Sequence, residues 1–75
     1  MRTRTDVQID VRVNGQVRGV HARFLSDLLR ELGHDPERPG VALAVNDEVV
    51  PRARWATWPI HTGDRIEIVG AVQGG

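Results

Sequence analysis

The chain contains no cysteine, so no disulfide, thiolate nucleophile or persulfide can form on it. It also contains no lysine, which removes any side-chain amine for a Schiff base or an isopeptide bond. Its positive charge comes from 10 arginines, balanced by 10 aspartates and glutamates. Zero net charge and few aromatics argue against a nucleic-acid binder, whose affinity depends on excess positive charge along a groove. No apolar run approaches the length of a membrane span, and the charged start "MRTRTD" does not resemble a signal peptide. A cytoplasmic protein with no membrane partner is expected. Its 75 residues suit one small domain, close to the size at which a single core is just sufficient.

"VQIDVRV" alternates strictly from Val7 to Val13, the mark of a half-buried strand, and Asn14-Gly15 signals a hairpin into "QVRGVH". Two registers are open. A two-residue loop sets Val11 opposite Arg18; a three-residue loop with a left-handed Gly15 sets Val11 opposite Val17 and Asp10 opposite Arg18. The second gives better cross-strand pairs and is the expected one.

In "FLSDLLRELG" the period changes, with Leu25, Leu28, Leu29 and Leu32 on one helical face and Gly33 as the stop. The helix start lacks a capping oxygen at Phe24, leaving Ser26 as the cap of a shorter helix. "VALAV" is a strand with Val41, Leu43 and Val45 on one face; Ala42 and Ala44 on the other leave room for something to pack close. Asn46-Asp47 turns the chain into "EVV", and Pro51 ends that strand. "PRARWATWPI" reads as one helical turn, and "RIEIV" is the last strand, with Ile66 and Ile68 inward. A leucine-striped helix laid across a mixed sheet of four to five strands is an α+β, β-grasp arrangement. Residues 1–6 form an N-terminal extension, 7–69 the domain and 70–75 a flexible tail ending in Gly-Gly.

Little here points to catalysis by the chain itself. His21, His34 and His61 have no metal-ligand spacing, so no metal site is expected. Ser26 beside Asp27 has no histidine to activate it. Asp35, Glu37, Asp47 and Glu48 sit in turns, as such residues do. Trp55 and Trp58 are expected to lid one end of the core with their ring N–H groups near solvent.

What remains is "GAVQGG". An α-carboxylate is ionised at neutral pH, its pKa being roughly 3.3–3.7. As an anion it attacks the α-phosphorus of ATP competently but resists attack by another nucleophile. Conversion to an acyl-adenylate reverses this, because AMP leaves readily. Extended from Gly70 to Gly75, such a tail reaches about 20 Å at roughly 3.3–3.6 Å per residue. Gly74 and Gly75 carry no Cβ to collide with a partner's tunnel. The bland alternative is a frayed terminus.

"AVNDEVVPRARWAT" and "GDRIEIVGAVQGG" together resemble the ThiS family, the thiazole sulfur carriers of thiamine biosynthesis. The residues that carry the likeness are Asn46, Val49 to Arg52, Trp55, Gly63-Asp64, Ile66 to Val69 and Gly74-Gly75. The resemblance implies a ubiquitin-like carrier that is a protein co-substrate and not an enzyme. It implies that Gly75 is adenylated by an E1-like adenylyltransferase using ATP and magnesium, with no cofactor on the carrier itself. Gly75 then becomes a thiocarboxylate, its sulfur supplied by a cysteine desulfurase or rhodanese-type donor and delivered to thiazole synthase. Gly74, Gln73 and Val72 are the tail residues that give the partner access. The chain departs from the pattern in "HARF", which is short and apolar where the family has a Thr or Ser cap, so the loop at 21–25 is unspecified. "MRTRT" extends beyond the usual start. The competing readings are the small subunit of molybdopterin synthase or another β-grasp sulfur carrier, a β-grasp interaction module with an incidental tail, and a modifier attached to other proteins.

Overall fold

The structure is a computed structural model and describes residues 7–70. Strand β1 (Ile9–Val13) and strand β2 (Gln16–Val20) form the first hairpin. Asn14 and Gly15 have φ of 49° and 85°, so both loop residues are left-handed and the turn has two residues. Val13 therefore pairs with Gln16, and Val11 lies opposite Arg18. This corrects the expected three-residue loop: Val17 is opposite Arg12, and Asp10 is opposite Gly19.

The reason is which valine the core needs. A one-residue slip exchanges the two faces of a strand. The observed register buries Val20, at 1% exposure beneath the helix, and leaves Val17 62% exposed on the open face. Pairing Val11 with Val17 would bury the valine far from the helix and expose the one next to it.

Helix α1 (Leu25–Glu31) buries Leu25, Leu28 and Leu29 completely, with Leu32 half-buried behind them. Its start has no side-chain cap, and Ser26 does not serve as one. The Leu25 and Ser26 N–H groups instead donate to the carbonyls of Trp58 and Trp55, both at 3.1 Å. A distant segment thus satisfies the unpaired amides of the first turn. At the other end Gly33 (φ 90°) donates to Arg30 and His34 donates to Leu29, which closes the helix in a Schellman motif.

Strands β3 (Val41–Val45) and β4 (Glu48–Val50) form a second two-residue hairpin through the left-handed Asn46 and Asp47. A 3-10 turn follows at Arg52–Arg54, and β5 (Arg65–Gly70) completes a sheet of order β2-β1-β5-β3-β4. Only the β1–β5 pair is parallel among the described strands. Helix leucines meet Val11, Val20, Leu43 and Ile66 over one face of the sheet. Among the described residues the other face is uncovered, with Val17, Val49 and Val69 exposed on it. On it Ala42 is exposed opposite Val69, and Ala44 lies between Val49 and Glu67, so among the described residues no further element packs over the two alanines. No helix of the described residues is long and apolar enough to cross a membrane.

Candidate functional site: the strand that leads to the C-terminus

β5 is the central strand, and each hairpin contributes an asparagine to it. Asn46 Oδ1 accepts from the Arg65 N–H at 2.9 Å, and the Asn46 N–H donates to the Arg65 carbonyl at 2.7 Å. Asn46 Nδ2 also reaches Asp64 Oδ1 at 3.0 Å, while Asp64 Oδ2 accepts from the His61 N–H at 2.8 Å. At the far end Asn14 Oδ1 accepts from the Ile68 N–H at 2.8 Å and Nδ2 donates to the Ile68 carbonyl at 3.2 Å. The sequence reading assigned both asparagines to turn formation alone. The signal that could have revealed more is the echo between "RVNGQV" and "AVNDEV", two left-handed asparagines flanking one strand.

Gly70 is the last described residue and pairs with Val41, so it belongs to β5, although the sequence boundary placed it in the tail. It lines a groove of about 400 Å³ with Asn14, Arg18, Leu32, His34 and Arg38. Among the described residues three basic side chains and no acidic one border this groove. Leu32, Val41 and Ile68 give it an apolar floor. A Cβ built on Gly70 meets nothing within 4 Å, so this glycine is not required by packing.

The loop bordering the groove is fixed by Arg52, whose guanidinium donates to the Pro36 carbonyl and, at 2.7 Å, to the Arg38 carbonyl. Arg52 also lies 4.4 Å from the centre of the Trp55 ring. Trp55 is 3% exposed, and its ring N–H donates to the Val50 carbonyl at 2.8 Å. That corrects the expectation of a solvent-facing N–H: the ring plugs the core end-on, and a backbone carbonyl replaces water. Trp58 is half-buried, with Arg54 5.9 Å from its ring centre. The "VVPRARW" segment is therefore a brace. It closes the core, anchors the loop beside the groove and, through Trp55, supplies one of the two carbonyls that start the helix.

The other candidate groups do not converge. His34 lines the groove near Gly70, His21 Nδ1 is 3.6 Å from Glu31, and His61 Nδ1 is 3.9 Å from Asp64. No group of three potential metal ligands occurs among the described residues. Asp35 Oδ1 accepts from the Glu37 N–H, and Asp47 pairs with Arg65, as turn acids do. The hydrogen-bonded Asp47 carboxylate raises the Arg65 pKa above its ordinary value. The predicted site residues Val72, Gln73, Gly74 and Gly75 lie outside the described residues.

Comparison with known proteins agrees with this architecture. The ThiS family model matches residues 11–75. The sulfur carrier protein ThiS of Thermus thermophilus is 34% identical over 63 residues, covering 84% of this chain and 95% of that protein. The Escherichia coli sulfur carrier protein ThiS is 39% identical over 49 residues, 65% of this chain and 71% of that protein. A thiazole synthase of Paramagnetospirillum magneticum is 38% identical over 64 residues, 84% of this chain but 19% of the synthase. In fold, the crystal structure of a thiamine biosynthesis protein (ThiS) from Geobacter metallireducens superposes with a TM-score of 0.74 at 24% identity, covering 89% of this chain and all of that one. A five-stranded mixed sheet under one helix, with the family pattern running through to Gly75, places the chain in the ThiS family.

Proposed function

We propose that the protein is a sulfur carrier of thiamine biosynthesis whose cargo site is the carboxylate of Gly75. The observation that carries this reading is the reach of the family match, which runs through residue 75 and so includes Gly74-Gly75. The chain's chemistry supports it. With no cysteine and no lysine, the α-carboxylate is the group best suited to receive and release sulfur.

The proposed sequence begins when an E1-like adenylyltransferase, using ATP and magnesium, lets a Gly75 carboxylate oxygen attack the α-phosphorus and pyrophosphate leaves. A persulfide, charged by a cysteine desulfurase or rhodanese-type donor, then attacks the activated carbonyl through its outer sulfur, and AMP departs. A second thiol on the partner side attacks the inner sulfur of the acyl disulfide, forms a disulfide with it and expels the thiocarboxylate, which is the donor for thiazole formation. The folded domain performs none of these bond changes; it presents the end of the chain. Ala71 follows Gly70 directly, so the acid group lies five residues beyond a fixed strand. That places it within roughly 17 Å of the sheet at about 3.3–3.6 Å per residue.

Thiazole synthase is the proposed acceptor. The likeness of this chain to 19% of a thiazole synthase supports that choice. A carrier-like segment in the same polypeptide as a synthase raises its effective concentration at the acceptor.

The test is removal of Gly75. The shortened chain should keep the melting temperature of the full chain and fail to support thiazole formation in a reaction reconstituted with the partners. Thiazole formation at the full-length rate would show that the terminal residue is not the cargo site.

A further inference from the structure

Parallel pairing between β1 and β5 ends early. Its registered pairs are Arg12 with Arg65 and Val13 with Ile66. Its hydrogen bonds include Arg12 N–H to the Asp64 carbonyl and Asn14 N–H to the Ile66 carbonyl, both 2.9 Å. The next rung would need β1 to continue, but Gly15 turns the chain back. The Asn14 side chain supplies that rung, bonding both the N–H and the carbonyl of Ile68. On its other side β5 is held by β3 out to the Val41–Gly70 pair. The last three residues of β5 are thus paired with β3 on one side, and on the other the Asn14 amide holds the first of them, Ile68.

We propose that Asn14 is a positioning residue for the C-terminus, aligning the end of β5 so that residues 71–75 are aimed into the activating partner. This deepens the carrier reading and rests on it. Asn46 provides an internal comparison. It has nearly the same left-handed φ, 52° against 49°, and its side chain also makes two hydrogen bonds, from the Arg65 N–H and to Asp64 Oδ1, at the end of β5 away from Gly70. Losing either side chain removes two hydrogen bonds, both to Ile68 for Asn14, and one to Arg65 and one to Asp64 for Asn46. Only the loss of Asn14 leaves the end from which the tail departs held by β3 pairing without the Asn14 bonds.

Asn14→Gly and Asn46→Gly both preserve the left-handed turn. Both variants should melt lower by a similar amount. Asn14→Gly should also speed amide exchange at Ile68 by about tenfold and lower kcat/KM for the carrier about tenfold, read as carrier-dependent pyrophosphate release by the E1-like enzyme. Asn46→Gly should stay within about twofold of the parent in that assay. Asn14→Asp keeps the acceptor for the Ile68 N–H and loses the donor, so it should fall between Asn14→Gly and the parent; it also serves if Asn14→Gly does not fold. Equal adenylation of the Asn14 and Asn46 variants overturns the positioning role while leaving the carrier reading intact. A parent chain that is not adenylated overturns both.

Discussion

Replacing Trp55 with phenylalanine isolates the brace that closes the core. The substitution removes the ring N–H that donates to the Val50 carbonyl at 2.8 Å, in a place where the tryptophan is 3% and Val50 2% exposed. Losing a hydrogen bond of this kind costs about 0.5–1.5 kcal/mol. The smaller ring leaves about 40 Å³ unfilled, worth about 1 kcal/mol at roughly 24 cal/mol per Å³. The sum is about 2 kcal/mol, against a total of roughly 4–11 kcal/mol expected for a domain of this length. In a domain this small each kcal/mol moves Tm by about 4–8 °C, so the expected drop is roughly 8–16 °C. Far-UV circular dichroism during heating reads it without depending on tryptophan emission. Trp58→Phe is the control: that ring is half-buried, and its loss should cost under about 1 kcal/mol. If Trp55→Phe melts within about 2 °C of the parent, or Trp58→Phe loses more, Trp55 is not the structural plug described above.

Leu28→Ala, at a fully buried position, should cost about 3 kcal/mol and lower the urea midpoint by roughly 2–3 M. Asp47→Asn removes the partner that raises the Arg65 pKa, but the pair is exposed, so the melting temperature should not shift measurably. Gly74→Ala should leave the melt unchanged and impair adenylation, because a Cβ crowds the partner's channel; normal adenylate formation by this variant would refute the steric argument.

Most of the fold was legible because period and turn chemistry agree. Alternation gave β1, the 3.6 period gave the leucine stripe, and Asn-Gly and Asn-Asp marked both hairpins. The β1–β2 register was misjudged because pairwise preference favoured Val11 with Val17. Burial of Val20 beneath a helix, a tertiary fact, outweighed that preference. The helix start was unreadable for a similar reason: its amides are satisfied by Trp55 and Trp58, some 30 residues later in the chain. Arg52 and the two asparagines looked like ordinary motif and turn residues. Their bonds to Pro36, Arg38, Ile68 and Arg65 depend on which segments the fold brings together. The proposed cargo site was legible in the sequence, through Gly74-Gly75 and the family match.

Intact-mass measurement of the protein produced together with its adenylating and sulfur-donating partners tests the central claim most directly. One oxygen should be exchanged for sulfur, and fragmentation should place the change on Gly75. A chain that stays unmodified under those conditions, or carries its sulfur at any other residue, would contradict the account.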